Sequence, residues 1–139
     1  MPNAMDVAAY ILSKLGPMSS MKLQKLVYYS QAYSLAWFDE PIFSDRIEAW
    51  TNGPVIPALW REHKRLFLVE NISAGNAGSV EGRNSLVVDS VIDSLGGLSG
   101  KQLSDRTHSE GPWMNNYDGH DQYPNTPISH PEMRDFYKF

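Results

Sequence analysis

The sequence predicts a mostly α fold of about five to six helices around a central helix at about residues 20–38, with a small β-hairpin near residues 42–50. Three observations predict it. Leu23, Leu26, Val27, Ser30, Tyr33, Ser34 and Trp37 recur at the three-and-four spacing of one helical face. Tyr29, Ala32 and Ala36 widen that face, so the helix is apolar over most of its girth and others must pack around it. Strand-like runs, by contrast, are short and bounded by Pro, Asp and Gly.

Taken in order, Asn3 with Asp6 reads as an N-cap with an acidic first turn. Val7, Ala8, Ile11, Leu12 and Leu15 then form a helical face that Gly16-Pro17 ends. Ser19 or Ser20 caps the central helix, and Pro41 stops it. Ile42-Phe43 and Ile47 to Trp50 read as two very short strands around Asp45-Arg46. Asn52-Gly53 is a turn signal, because both residues tolerate positive φ. Pro57 suits the first position of a third helix reaching about Phe67. Leu66 to Val69 either finishes that helix or starts a strand.

Residues 71–84 are glycine-rich and read as a flexible loop. Leu86, Val87, Val88, Val91, Ile92 and Leu95 return at helical spacing up to Gly96-Gly97. Ser99 with Gln102 makes a capping box for a short helix from Lys101 to about His108. Gly111 to Thr126 is polar and turn-rich, with Trp113 and Tyr117 as anchors to the core. Ser129 with Glu132 makes a second capping box, for a last helix over about 130–138.

A chain of 139 residues makes a single domain, 1–139, and its 42% hydrophobic and 12% aromatic content is that of a globular protein. A net charge of -4 argues against a main role in holding nucleic acid, which needs clustered Lys and Arg. The absence of cysteine excludes disulfides, thiolate metal sites and a cysteine nucleophile. No apolar run approaches a bilayer span and no signal core opens the chain, so a cytoplasmic location is expected.

Sites of chemistry are sparse. Asp118, His120, Asp121 and His130 lie in one stretch but match no standard metal-ligand spacing, so no metal and no cofactor is expected. His108, near Glu110 and Trp113, has the chemistry of a general base. The structural reading is preferred, in which its ring ties down the Pro112-Trp113 turn, because no second catalytic partner is identifiable. Phosphate-loop, nucleophile-elbow and metalloprotease signatures are missing.

The runs Lys22-Leu23-Gln24-Lys25-Leu26-Val27-Tyr28-Tyr29, Glu48-Ala49-Trp50 and Gly53-Pro54-Val55-Ile56-Pro57 resemble the Panacea domain of the SocA-like antitoxin family, also labelled phage-associated proteins. Leu103-Ser104, Thr107-His108 and Pro112-Trp113 follow in the order of that family's second motif series. The resemblance spans roughly residues 5 to 139, and the 71–84 segment departs from it. It implies a non-enzymatic antitoxin that binds a cognate toxin protein directly, with a protease or chaperone as a further partner. An adaptor or regulator of another phage or host protein is the alternative, and an enzyme using His108 the second.

Under that resemblance, Leu23, Lys25, Leu26, Tyr28, Trp50, Gly53, Pro54, Val55, Thr107, His108, Pro112 and Trp113 are motif residues with structural roles. Partner contacts are expected from Lys25, Tyr28, Tyr29, Trp113 and Tyr117. The central helix carries more rings than one face can pack inward, and Tyr28 lies away from Leu23, Leu26 and Val27, so it is expected to emerge beside Lys25. The polar tail from Trp113 to Tyr123 is the next candidate surface.

Overall fold

A computed structural model describes residues 1–121 and 124–138. Its elements are α1 (Ala4–Leu15), β1 (Met18–Ser19), α2 (Ser20–Phe38), β2 (Glu48–Trp50), β3 (Gly53–Val55), α3 (Pro57–His63), β4 (Leu68–Val69), a 3-10 turn (Ala77–Ser79), α4 (Arg83–Leu95), α5 (Gly100–His108), α6 (Gly111–Met114) and α7 (His130–Phe136). The predicted α architecture is therefore present, with the four-residue α6 as the helix the sequence did not announce.

Local chemistry sets the boundaries. Asn3, Ser99 and Ser129 each close a capping box, and Ser19 accepts from the Lys22 N–H at the start of α2. Lys22 extends its amine 2.6 Å to the Gly96 carbonyl, placing a cation at the C-terminus of α4. Asp39, at φ +55°, is the left-handed residue that ends α2.

α2 is buried on every side from Leu23 to Ala32, against α1, α4, α5 and α7. That burial requires a partner for each polar side chain it carries. Ser30 donates to the Leu26 carbonyl. Gln31 accepts from the Ile42 and Phe43 N–H groups at 2.8 and 3.2 Å and donates to the Phe43 carbonyl at 2.6 Å. Gln24 does the same one heptad earlier, accepting from the Ile56 N–H and donating to the Ile56 carbonyl. Each glutamine amide thus stands in for a neighbouring strand.

This corrects the position of the hairpin. Ile42 and Phe43 form no strand, because Gln31 takes their backbone groups. The hairpin lies one step later, β2 pairing antiparallel with β3 from Glu48↔Val55 to Trp50↔Gly53 across Thr51-Asn52. The chain near 126–128 adds to its outer edge: Ala49 donates to the Thr126 carbonyl and Ile128 to the Ile47 carbonyl. α3 ends at His63, short of the expected Phe67, and Leu68–Val69 instead pairs with Met18–Ser19.

Residues 71–84 are laid against α1. The Asn76 N–H donates 2.8 Å to Asp6, whose other carboxylate oxygen accepts from Asn3. A Cβ on Gly75 would sit 2.1 Å from the Met5 carbonyl oxygen, so only glycine permits this approach.

Gln31→Leu fits the apolar pattern of α2 but strands three buried backbone groups of residues 42–43. It is expected to cost about 3–5 kcal/mol in urea unfolding. A loss below about 1 kcal/mol would show that the loop does not depend on this amide.

Candidate functional site

The two separated motif groups meet at the hairpin turn. Gly53 has φ +119°, and a Cβ there would lie 2.6 Å from Lys25 Cε and 2.7 Å from Thr107 Oγ1. The turn is clamped from α5 and α6. Ser104 donates to the Asn52 carbonyl at 2.6 Å, His108 Nε2 lies 2.9 Å from the Thr51 carbonyl, and Trp113 Nε1 donates to the Trp50 carbonyl at 2.6 Å. Trp50 in turn donates to Glu48, which Arg46 also binds at 2.6 Å. His108 stacks on Trp113 at 4.2 Å, and Trp113 on Tyr117 at 4.8 Å. His108 is placed as a tie between α5 and the turn, with its ring held between a carbonyl and an indole. Leu23, Leu26 and Tyr28 are wholly buried, and Pro54, Val55 and Pro112 are buried with them.

The expected surface position of Lys25, Tyr28 and Tyr29 is overturned. Their exposures are 1%, 0% and 0%. The C-terminal helix α7 covers the rings, and a helical wheel of α2 alone holds no sign of it. Tyr137 packs edge-on against Tyr28 and Tyr29 at 6.1 and 5.8 Å. Tyr29 and Tyr137 both donate to Glu110 Oε1, at 2.6 and 2.8 Å. Tyr137 spends its proton there, so the 2.9 Å contact between the Tyr28 and Tyr137 hydroxyls has Tyr28 as donor. Burial first, then the Glu110 charge, pushes the Tyr29 hydroxyl above its ordinary range.

The rings that leave the core lie at the other end of α2. Trp37 is 45% exposed and Phe38 42%, and Phe136 of α7 is 42% exposed. Tyr33 stacks on Trp37 at 5.2 Å. Two shallow grooves meet at Trp37, one shared with Arg106, Glu110 and Phe136, the other with Asp39 and Arg134. Trp113 and Tyr117 are half-buried. Tyr123, at the far end of the second candidate surface, lies outside the described residues.

A pocket of about 400 Å³ opens between α2, the hairpin and α3. Lys25 and Gln24 line it from α2, Trp50 and Asn52 from the hairpin, and Trp60 and His63 from α3. Sequence reasoning missed Gln24, Trp60 and His63 here; the seven-residue spacing of Gln24 and Gln31 on an apolar helix was the available signal. Gln24 Oε1 is assigned by the Ile56 N–H, so its amide nitrogen donates to His63 Nε2 at 3.0 Å. His63 must therefore be neutral at that nitrogen, in line with the burial that lowers its pKa. Burial alone holds the Lys25 amine down at about 7.

Asp118, His120, Asp121 and His130 form no cluster of three or more ligands among the described residues. His120 lies 3.2 Å from Asp118, Asp121 accepts from the Thr51 N–H at 2.6 Å, and His130 faces Gln31 at 3.5 Å.

A family model described as antitoxin SocA-like, Panacea domain, matches residues 23–114, about two-thirds of the chain. The chain belongs to that family. The match begins inside α2 and ends with α6, so the clamped turn lies within it, while α1 and the α7 lid lie outside it. No curated protein and no solved structure matches the chain.

Two outcomes follow from the Panacea turn. Gly53→Ala is expected to lose on the order of 2–4 kcal/mol, from backbone strain at positive φ together with overpacking against Lys25 and Thr107. Unchanged thermal stability would show that the turn relaxes freely. Lys25 gives a pH signature. Its folded pKa of about 7 lies below the ordinary 10.5, so between those values the unfolded chain binds the extra proton and stability rises with pH. Lys25→Met is expected to stabilise the fold by on the order of 1–3 kcal/mol near pH 6 and by less near pH 9. Parallel urea midpoints at the two pH values would contradict a buried, depressed amine.

Proposed function

We propose that this Panacea domain is a non-enzymatic antitoxin of the cytoplasm that neutralises a cognate toxin by binding it directly. The family match carries the reading. The surface is compatible with it. Trp37, Phe38 and Phe136 make an exposed aromatic patch, rimmed by the Arg134–Asp39 and Arg106–Glu110 ion pairs. Large rings at the centre of a charged rim are where binding energy concentrates in protein interfaces. Trp113 and Tyr117 stay in the proposal as a second contact, since both are partly accessible beside the clamped turn. Lys25, Tyr28 and Tyr29 are too buried to meet a protein partner. No helix among the described residues is long and apolar enough to cross a membrane.

The test is co-expression with the product of the neighbouring reading frame. Trp37→Ala and Phe136→Ala, each checked by circular dichroism, are expected to weaken toxin binding by at least about 30-fold, the value of a 2 kcal/mol anchor. They should also fail to rescue growth. Full rescue by the folded double variant, with loss in a Trp113→Ala, Tyr117→Ala pair, would move the interface to the second surface. If neither pair affects rescue, both surfaces are wrong.

A further inference from the structure

Lys25 is the unusual group in the pocket between α2, the hairpin and α3. Its stem passes directly over Gly53, where a Cβ would lie 2.6 Å from Lys25 Cε, so packing against the hairpin turn places the amine. It is 1% exposed and makes no hydrogen bond or ion pair with any described residue. No fully buried side-chain nitrogen or oxygen among the described residues lacks a partner, so the unpaired amine is the atom of Lys25 that still meets solvent. Lys25 lines the pocket, and that is where the amine is met. An amine buried to this degree weakens the fold relative to an apolar side chain of equal length, unless something outside the fold pairs with it.

The neighbours define what can complete it. Gln24 has both ends committed to Ile56 and His63, and the His63 nitrogen facing it accepts a hydrogen bond. Neither supplies a charge. Trp50 and Trp60 form the apolar walls, 5.3 Å apart at 60°. Lys64 sits 5.5 Å over the Trp60 ring. Asp121 lines the pocket with one carboxylate oxygen already held by the Thr51 N–H. A volume near 400 Å³ is within the range of small-molecule sites.

We propose that this pocket binds a small organic acid, its single carboxylate pairing with the Lys25 amine and its apolar body lying against the wall that Trp50 and Trp60 form together. One buried cation matches one negative charge, whereas a doubly charged phosphate would meet the Asp121 carboxylate with no second cation among the lining residues to offset it. A wall made of two contacting indoles favours an apolar remainder over a sugar or a flexible polar chain. Such a ligand would raise the depressed amine pKa back towards its ordinary value, so binding takes up a proton. The site does not depend on the antitoxin reading, and the pocket lies nearer the N-terminus of α2 than the rings covered by α7.

The experiment titrates the full chain, without toxin, with sodium benzoate and with its neutral isostere benzamide, following the indole N–H resonances by NMR. Saturable benzoate binding is expected to shift the Trp50 and Trp60 signals, with benzamide at least tenfold weaker. Lys25→Met, which keeps the stem, should lose the preference for the acid. Trp60→Ala, on a half-buried wall, should weaken both probes while the fold persists. Equal binding of the two probes, no saturable binding of benzoate, or an unchanged acid preference in Lys25→Met would each overturn the proposal.

Discussion

A helix with no solvent-facing side has to settle every polar side chain inside the protein, and α2 meets that condition from Leu23 to Ala32. Its two glutamines, one heptad apart, do so by binding backbone groups of extended segments at Ile42-Phe43 and Ile56. The apolar packing of α2 and the course of the loops around it are therefore one problem. Loops that would otherwise bury unpaired N–H and C=O groups run where they do because a glutamine waits there.

The same economy explains why the motif groups are split in sequence. Lys25, Gly53 and Thr107 come from α2, the hairpin and α5, and they touch at a point where a single Cβ would not fit. Ser104, His108 and Trp113 then fasten the three carbonyls of Asn52, Thr51 and Trp50 in turn. A turn held by three side chains from one helical corner is rigid by construction, and it forms one wall of the Lys25 pocket. Glu110, at the end of that corner, also gathers the hydroxyls of Tyr29 and Tyr137, which links the clamp to the α7 lid.

Lys25 stands apart from this pattern of satisfied groups. A lysine in that position costs stability that a methionine would restore, and residues that oppose the fold in this way are where function tends to concentrate. The aromatic patch at Trp37 and Phe136 is a second place where apolar surface stays uncovered. The two lie towards opposite ends of α2 and answer to different tests.

Local chemistry was legible in the sequence because it is written in short-range patterns. The capping boxes at Ser99 and Ser129, the N-cap at Asn3, the span of α2 from Ser20 to Phe38, Pro57 at the start of α3 and the helix ending before Gly96 all follow from neighbours within a few residues. The motif order was legible too, and with it the family. What covers α2 was not. Tyr28 looks surplus on a helical wheel, and only the arrival of Tyr137, over a hundred residues later, makes it core. Ile42-Phe43 has the composition of a strand, and only Gln31 deprives it of a strand partner. The sequence by itself determined which segments are helices and where they begin, since caps and periodicity are local. Tertiary structure decided which faces are buried and where the polar groups are satisfied, because those depend on contacts between residues far apart in the chain.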